Sequence, residues 1–336
     1  MRALATIRKI LDIQPIPDAD QIECATIDGW KVVVKKGDFR VGQLAIYIEV
    51  DAWVPTELAP FLSKGKEPKE YNGIKGERLR TVRLRGQISQ GLLLPAKGGK
   101  YYAQIHLEDE GEDITELLGI QKYEPPIPAQ LSGVVRGNFP LFIPKTDQER
   151  VQNLRKELAE FREDLTWELT EKLDGSSMTA YLYQDEFGVC SRNLDLKEDE
   201  NNSFWKAARA NKMEEKLRAL NRNIALQGEL IGEGIQKNPY AIKGQEFYLF
   251  DIYNIDKGEY LLSNERIDLY EKLELHHCPI LCIKSIAGIG ITEILSDADG
   301  PSILNAYAKR EGVVYKCMET QYSFKAISNE FLLNEK

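Results

Sequence analysis

Alternating apolar and polar positions dominate residues 3–95 and predict short β-strands. The pattern is clearest in LATIRKILDIQPI, WKVVVKKGDF and GQLAIYIEVDAWVP, which are rich in β-branched and aromatic residues and are separated by glycine and aspartate turns. The stretch RLRTVRLRGQISQGLLLP alternates basic and apolar residues, which is typical of a strand with one charged face. Several short strands at this spacing predict a small all-β barrel.

The pattern changes in the second half of the chain. Proline and glycine are frequent in residues 123–144, which predicts a linker and the start of a second domain. Next, TDQERVQNLRKELAEFREDL repeats apolar residues at intervals of three and four, which predicts an amphipathic helix capped by Thr146 or Asp147. We therefore predict an N-terminal domain over residues 1–122, the linker over 123–144 and a second domain over 145–336.

Strands and helices alternate in that second domain, which predicts an α+β fold. The predicted strands are SMTAYLY, GVCSRN, IALQGELIG, EFYLFDIYNI, EGVVYK and YSFKAI. The predicted helices are SFWKAARANKMEEKLRAL and SNERIDLYEKLEL.

Composition indicates a soluble globular protein, with 43% hydrophobic and 29% charged residues among 336. No apolar run approaches the length that spans a membrane, and the N-terminus lacks the features of a signal peptide. The five cysteines are odd in number and scattered, which favours reduced thiols in the cytoplasm over a disulfide framework.

Charge is unevenly distributed along the chain. The net charge of −9 argues mildly against a nucleic-acid binder, but residues 64–85 carry eight lysines and arginines against three glutamates. Local potential governs phosphate contact more than net charge does, so this run is a candidate nucleic-acid surface. Its candidate contacts are Arg78, Arg80, Arg83 and Arg85. The alternative is a solvated loop.

Six charged residues fall inside or at the ends of the predicted strands of the second domain. They are Lys172, Asp174, Arg192, Glu229, Glu311 and Lys325. Charges on buried strands are costly unless they are paired or used, so these six suggest a shared pocket. Cations for phosphates and carboxylates for a hydrated divalent ion suit a nucleoside triphosphate with Mg²⁺ or Mn²⁺.

The order of short motifs around these residues resembles the covalent nucleotidyltransferases, which include the ligases and the mRNA capping enzymes. EKLDGSS resembles motif I, SRN motif Ia, QGELIG motif III, FYLFDIY motif IIIa, EGVVYK motif IV and SFKAIS motif V. A lone K-x-D-G is weak evidence, whereas six motifs in order are strong.

The arrangement of the whole chain narrows this resemblance. IPDADQIECATIDGWKVVV is similar to the opening of tRNA-binding OB modules, and the chain stops soon after motif V, which we take to leave no room for a C-terminal OB domain. An OB barrel ahead of the catalytic domain, with RGQISQGL and PKTDQERVQN, resembles the Naegleria-type ATP-dependent RNA ligases. Many RNA ligases have a second motif V lysine, and Ile327 stands in its place here.

The resemblance implies a role for each candidate residue. Lys172 would attack the α-phosphate of ATP and carry AMP, with Lys325 lowering its pKa and contacting the phosphate. Asp174, Glu229 and Glu311 would hold the waters of the metal ion, and Glu229 would also lie against the nucleotide. The remaining nucleotide contacts would be Glu171 at the edge of adenine, Phe250 stacked on adenine, Arg192 at the ribose or the 5′-phosphate, and Arg150 at the outgoing phosphates.

The implied function is sealing of RNA ends that carry a 3′-hydroxyl and a 5′-phosphate, at nicks or in a duplex, by a monomer. A capping-type guanylyltransferase or a non-catalytic RNA-binding pseudo-ligase would be the alternatives. Phe250 could instead be a core aromatic, with Phe247 and Tyr248 competing for the stacking role, and Arg150 could be a solvent-facing helix residue. HHCPILC fits no standard zinc spacing, so we interpret it as core and loop.

Overall fold

The computed structural model of the protein describes residues 3–96, 110–124 and 135–334. The chain divides into two compact units. The N-terminal unit comprises Met1–Pro126 and Gln152–Arg155, and the C-terminal unit comprises Ile127–Val151 and Lys156–Lys336. The linker predicted over residues 123–144 lies partly outside the described residues, so the domain boundaries stay a prediction.

The N-terminal unit is built from short β-strands and a 3-10 helix at Pro60–Ser63. The strands are β1 (Ala5–Lys9), β2 (Asp12–Pro15), β3 (Ile22–Ile27), β4 (Trp30–Lys35), β5 (Leu44–Ile48), β6 (Ala52–Pro55), β7 (Lys69–Tyr71), β8 (Ile74–Arg78), β9 (Val82–Leu84), β10 (Gln87–Ser89), β11 (Leu92–Pro95) and β12 (Gln121–Lys122). Within the described residues they pair in the orders β1-β5-β11, β2-β3-β4, β12-β6-β8-β7 and β9-β10.

Alternation along these strands produces the core of the N-terminal unit. In β4, Trp30, Val32 and Val34 are buried, whereas Lys31 and Lys35 are exposed. Each fully buried apolar side chain contributes about 1.5–3 kcal/mol, so the buried face holds the strand in register. The predicted strand character of this region is confirmed.

The segment Gln152–Arg155 belongs to the N-terminal unit through contacts with the β3–β4 turn. The Trp30 indole N–H donates to Asn153 Oδ1 at 2.6 Å, and the Gly29 amide donates to the Gln152 carbonyl at 3.0 Å. A truncation before the second domain would therefore remove the partners of this segment.

The basic stretch from Arg78 to Pro95 is not one charged strand. It is divided among β8, β9, β10 and β11, and β9 and β10 form a hairpin around the Arg85–Gly86 turn. Both turn residues have positive φ, 48° and 82°, as a two-residue hairpin turn of this hand requires. The prediction of a single strand was wrong because turn geometry overrides the alternation.

The C-terminal unit combines two sheets with helices. Its strands are β13 (Val135–Asn138), β14 (Glu149–Arg150), β15 (Trp167–Lys172), β16 (Ser176–Tyr183), β17 (Glu186–Cys190), β18 (Leu194–Leu196), β19 (Ile224–Gly232), β20 (Gln245–Asn254), β21 (Glu259–Tyr260), β22 (His276–His277), β23 (Ile280–Lys284), β24 (Gly312–Cys317) and β25 (Ser323–Ile327). Its helices are α1 (Arg155–Glu160, shared with the N-terminal unit), α2 (Ser203–Ala210), α3 (Met213–Ala219), α4 (Ser263–Lys272), α5 (Ile291–Ala298) and α6 (Asn329–Asn334).

The larger sheet has the order β13-β18-β17-β16-β19-β20-β21, with β22 paired to β20, and the smaller has the order β14-β25-β24-β15-β23. A core that includes Met178, Leu226, Phe247 and Trp205 lies between the larger sheet and the helices α2, α3 and α4. The observed strands and helices confirm the α+β prediction for this domain.

The long helix predicted over residues 146–165 is wrong. Residues 149–150 form β14, Val151–Asn153 is a 3-10 helix, and only Arg155–Glu160 is α-helical. Val151, Leu154 and Leu158 are nevertheless buried. The apolar residues at intervals of three and four therefore reflect side chains buried from an irregular segment, and not one long helix.

The helix predicted over residues 203–220 is two helices. Asn202 caps α2 by accepting from the amides of Phe204 and Trp205, and the chain breaks at Asn211 and Lys212. Lys212 adopts left-handed backbone geometry, which ends the first helix.

All five cysteines lie within the described residues and carry free thiols, with Cys282 the exposed one. Across the described ranges, we find no helix that is both long and apolar enough to cross a membrane.

Candidate active site

Strand register brings Lys172 to Glu311. Lys172, the last residue of β15, pairs with Gly312, the first residue of β24. Glu311 immediately precedes Gly312, and its Oε2 accepts a hydrogen bond from Lys172 Nζ at 2.7 Å. The pair is 139 residues apart in sequence and only partly exposed, so it exists because the two strand ends meet.

The turn after Lys172 carries the chain from the smaller sheet to the larger one. β15 ends at Lys172 and β16 begins at Ser176, and β16 pairs with β19 so that Ser177 lies opposite Glu229. A side chain at Gly175 would place its Cβ 2.5 Å from the Leu230 carbonyl oxygen and 2.8 Å from Glu229 Cγ. Gly175 is therefore needed for close approach to β19, which brings Glu229 toward the lysine.

The charges of three predicted site residues act on Lys172. Burial lowers the pKa of Lys172, but the charges of Glu311, Glu229 and Asp174 raise it by more, so its pKa lies above the ordinary lysine value. Arg192, exposed in the turn between β17 and β18, is close enough to act on Glu229. The expectation that Lys325 lowers the pKa of Lys172 is wrong for the ligand-free protein, because carboxylates dominate its surroundings.

Glu229 has an unusual protonation behaviour in this arrangement. Burial raises its pKa; Lys172 and Arg192 oppose the shift, Glu311 and Asp174 add to it, and the result is a pKa of about 8. A carboxyl group with a raised pKa binds its proton more tightly in the folded protein than in the unfolded chain. The site therefore destabilises the ligand-free protein increasingly as pH rises from the unfolded-state value of about 4.3 to about 8.

We expect Glu229→Gln to raise the free energy of unfolding of the ligand-free protein at pH 8–9, with a difference from wild type that shrinks toward pH 5, because glutamine cannot ionise. Urea unfolding with chelator at several pH values measures this. Glu186→Gln, an exposed change on β17, is the matched control and should show no such trend. A difference that stays constant between pH 5 and 9 would refute the shifted ionisation of Glu229.

Lys325 and Arg150 form a second group at the other edge of the smaller sheet. β14 pairs in parallel with β25, which places Arg150 beside Lys325. Lys325 Nζ donates to Asp147 Oδ1 at 3.1 Å, and Arg150 is buried. The placement of Arg150 as a solvent-facing residue in the first turn of a helix is therefore wrong, and two cations share one edge.

The aromatic residues of β20 separate into two faces. Phe247 is fully buried in the core beneath the larger sheet, which removes it as a stacking candidate. Phe250 and Tyr248 are partly buried and pack on the cluster that contains Leu173 and Tyr240, next to the turn after Lys172. Phe250 therefore lies near that turn, with Tyr248 as its remaining competitor.

Glu171 points to the opposite face of β15 from Lys172, as neighbouring residues of a strand do. Its Oε2 accepts from the Ile303 amide at 2.7 Å. Burial raises the pKa of Glu171, and hydrogen bonds from Ser302 and Ile303 oppose the shift. The carboxylate thus has a partner in the protein, so its contact with adenine stays a prediction.

The C-terminal unit also contains a buried network of charges that was not predicted from the sequence. Lys316 donates to Asp251 and to the Phe250 carbonyl, Arg266 donates to Glu168, and Arg266 Nε lies 3.2 Å from His277 Nε2. Glu168, Asp251 and Lys316 also lie on strands, so the rule about charges on buried strands could have found them. Lys316 fixes the carbonyl of Phe250 and thereby supports β20.

A cavity of about 350 Å³ opens beside this network. Its lining includes Asp147, Asp251, Arg266 and Lys316, whereas Lys172, Glu229 and Glu311 are not among the described residues that line it. The group formed by Lys172, Glu311, Glu229 and Asp174 is therefore distinct from the described lining of this cavity.

The basic residues of the N-terminal unit divide into two kinds. Arg78 Nε donates to Asp51 Oδ1 at 3.1 Å, and the guanidinium lies 5.1 Å from the centre of the Tyr123 ring. Arg80, Arg83 and Arg85 are exposed at or next to the β9–β10 hairpin. Arg78 therefore supports the fold, and the hairpin arginines remain candidates for phosphate contact.

Within the part of the chain that the structure describes, no three His, Cys, Asp or Glu side chains are grouped to hold a metal ion directly. The HHCPILC segment forms parts of β22 and β23, with Cys278 buried and Cys282 exposed, so the predicted loop is largely strand. Asp174, Glu229 and Glu311 would suit a hydrated ion held through its waters, because Mg²⁺ retains much of its water shell.

Solved structures of one enzyme resemble this chain over almost its full length. The Naegleria gruberi RNA ligase with PPi is 50% identical, has a TM-score of 0.90, and is matched over 99% of this chain and 98% of that chain. The chain belongs to the RNA ligase family. The predicted relationship to the Naegleria-type RNA ligases is confirmed.

Two further structures, of mutants of the Naegleria gruberi RNA ligase, are similar to this RNA ligase. One, with ATP and Mn, has 49% identity, a TM-score of 0.90 and 99% coverage of both chains. The other, with AMP and Mn, has 49% identity, a TM-score of 0.91 and 99% coverage of both chains.

Two family models match separate parts of this RNA ligase. The RNA ligase model matches residues 165–327, and an OB-fold domain model matches residues 4–96. The predicted OB-type barrel ahead of an α+β ligase domain is confirmed. A search of curated proteins found no match.

Proposed function

We propose that this RNA ligase uses ATP, with Mg²⁺ or Mn²⁺, to join a 3′-hydroxyl to a 5′-phosphate of RNA at nicks, through lysyl-AMP and 5′-adenylylated RNA. The observation that carries the proposal is the hydrogen bond of 2.7 Å from Lys172 Nζ to Glu311, inside a group of carboxylates that includes Glu229 and Asp174. The solved Naegleria structures with ATP and Mn and with AMP and Mn support the choice of nucleotide and metal.

In the first step, the Lys172 amine attacks the α-phosphorus of ATP. A phosphorus–nitrogen bond forms, the bond from the α-phosphorus to the bridging oxygen breaks, and pyrophosphate leaves. The amine must first lose a proton, and Glu311 Oε2 accepts the hydrogen bond at that position. When bound, the metal ion supplies positive charge at the α-phosphate, and Asp174, Glu229 and Glu311 would hold it through its waters.

In the second step, a 5′-phosphate oxygen takes AMP from Lys172, and in the third the 3′-hydroxyl displaces AMP to seal the strand. We assign Arg192 to the ribose or the 5′-phosphate, because it is exposed beside Glu229. Arg150 and Lys325 are two adjacent cations suited to phosphates. Phe250 and Glu171 would stack on adenine and contact its edge.

Incubation with labelled ATP, GTP or NAD and Mg²⁺ or Mn²⁺, followed by denaturing electrophoresis, tests the proposal. We expect acid-labile label from ATP alone, and transfer of that label to a nicked RNA duplex. Label from GTP would instead support a capping-type enzyme, and the absence of label with all three nucleotides would support a non-catalytic RNA-binding protein.

We further propose that the β9–β10 hairpin of the OB domain contacts the RNA backbone. Arg80, Arg83 and Arg85 are exposed there, and the exposed Val82 and Leu84 lie between them. Arg78 is excluded from this surface because it is paired with Asp51.

We expect reversal of Arg80, Arg83 and Arg85 to glutamate to weaken binding of nicked RNA while sparing lysyl-AMP formation, because each contact neutralises a phosphate. The slope of log Kd against log salt should fall by up to about 3. Reversal of the exposed Lys35, Lys36 and Arg40 is the charge-matched control in the same domain. Equal effects of the two triple variants would show that net charge, and not this hairpin, governs binding.

A further inference from the structure

The connection between β19 and β20, residues 233–244, holds the turn that follows Lys172. The Tyr240 hydroxyl accepts a hydrogen bond from the Asp174 amide at 2.5 Å. The Gln236 side-chain amide donates to the Gly175 carbonyl at 3.3 Å, in a more exposed position. We call residues 233–244 the strap; both of these contacts fall within three residues of the proposed nucleophile.

The strap is itself held in one conformation. Tyr240 is 4% exposed and packs against Leu173, Ile231 and Cys278. Asn238 bonds Ile242 twice, accepting from its amide at 3.1 Å and donating to its carbonyl at 2.8 Å. This internal packing fixes the position of the Tyr240 hydroxyl.

Backbone geometry also marks the strap. Four of its non-glycine residues have positive φ: Gln236, Lys237, Asn238 and Ala241. Non-glycine residues adopt this conformation at a cost, and they keep it where the surrounding structure determines it fully. Four such residues in the strap indicate that the surrounding structure fixes its conformation beside the turn that follows Lys172.

A second connection holds the residue on the other side of Lys172. The loop of residues 300–310 binds Glu171 through the Ile303 amide at 2.7 Å. In the same loop, Asn305 Nδ2 donates to the Pro239 carbonyl of the strap at 2.8 Å. The two connections are therefore hydrogen-bonded to each other. Together they bind Glu171 and Asp174, which lie on either side of Lys172.

We propose that Tyr240 is a positioning residue for Lys172, which it acts on through the amide of Asp174 to set where Nζ meets the α-phosphorus. The inference rests on the proposed role of Lys172 as the nucleophile. Near-attack geometry is demanding, since a misplacement of about 1 Å costs about 100-fold in rate. Loss of the hydroxyl should therefore slow the steps that use Nζ.

The three chemical steps differ in their use of Lys172. The phosphorus–nitrogen bond forms in the first step and breaks in the second. In the third step a bond forms from the 3′-oxygen to the 5′-phosphorus and the bond to AMP breaks, with no bond to Lys172. A positioning role for Tyr240 thus predicts slow lysyl-AMP formation and normal sealing of RNA that already carries AMP at its 5′ end.

The test is Tyr240→Phe, which keeps the packed ring and removes the acceptor. We expect single-turnover lysyl-AMP formation to fall about 10- to 100-fold, and sealing of a pre-adenylylated nicked duplex to stay within about twofold of wild type. Tyr183→Phe is the matched control, because its hydroxyl accepts from Gln184 Nε2 at 3.2 Å, and Tyr183 is the last residue of β16, at the end away from the turn. Neither rate should change in that variant.

Unchanged lysyl-AMP formation in Tyr240→Phe overturns the inference. An equal fall of both rates, with a lowered melting temperature, also overturns it and assigns Tyr240 to the fold alone.

If the variant does not fold, Gln236→Leu replaces it, since that side chain is exposed. Gln236→Leu must then slow lysyl-AMP formation alone, by less than the fall of about 10- to 100-fold expected for Tyr240→Phe. An unchanged rate of lysyl-AMP formation in Gln236→Leu would refute the role of the strap. A wild-type protein that forms no lysyl-AMP would instead refute the proposed function.

Discussion

Lys172→Ala is expected to abolish covalent labelling by ATP, a loss of more than about 10³-fold, while the protein stays folded. The amine is the proposed nucleophile, and no other group can form the same phosphorus–nitrogen bond from its position at the end of β15. Lys172 is not part of the hydrophobic clusters of the C-terminal unit, so its removal leaves their packing in place. Labelling with radioactive ATP followed by denaturing electrophoresis measures the loss, and circular dichroism checks the fold.

Lys284→Ala provides the control for this experiment. Lys284 lies on β23 of the same sheet and donates to Asp297 at 2.5 Å, so the variant also breaks a lysine–carboxylate pair. It should label normally. Lys172→Ala should still seal a nicked duplex that carries AMP at its 5′ end, because that step makes no bond to the lysine. Acid-labile AMP on the alanine variant would remove Lys172 as the nucleophile.

Glu311→Gln is expected to slow lysyl-AMP formation by about 10- to 100-fold at low metal concentration. Two effects compete in this variant. Loss of the carboxylate removes a charge that raises the pKa of Lys172, which favours the free amine. It also removes one of three carboxylates that would hold the metal waters, and we expect this loss to dominate because the α-phosphate needs compensating charge.

A titration of Mg²⁺ or Mn²⁺ at fixed pH separates the two effects. The rate of the variant should recover partly as the metal concentration rises, and wild type should saturate earlier. Glu330→Gln is the control, since Glu330 pairs with Lys309 at 3.0 Å on the protein surface. A Glu311→Gln variant that labels faster than wild type at neutral pH would show that Glu311 only restrains the lysine.

The strands that carry the site could be predicted from the sequence because their pattern is local. Alternation and β-branched residues located β16, β19, β20, β24 and β25. Lys172, Glu229 and Glu311 were candidates for a shared pocket because a buried strand tolerates charges only when they are paired or used, and the family resemblance implied their roles. The same rule also covers Glu168, Asp251 and Lys316, which were not among the predicted residues.

Local patterns failed where partners distant in sequence determine the structure. Helical spacing around Arg150 predicted a helix, but β14 forms there because it can pair with β25, which lies about 175 residues later. The arginine pattern predicted one charged strand, yet Arg78 turns inward to Asp51 and the rest form a hairpin. The spacing of apolar residues along the chain does not by itself distinguish a helix from an irregular segment that packs on the core.

The order of the motifs, the nature of both domains and the candidate reactive residues could be predicted without the fold, since these depend on residue type and short-range spacing. Which charges surround Lys172, and hence that its pKa is raised in the ligand-free protein, depends on the fold. The fold also brings Tyr240 to the Asp174 amide, 66 residues away in sequence. Electrostatic shifts and positioning contacts depend on distances through space, and chain folding sets those distances between residues that no local pattern connects.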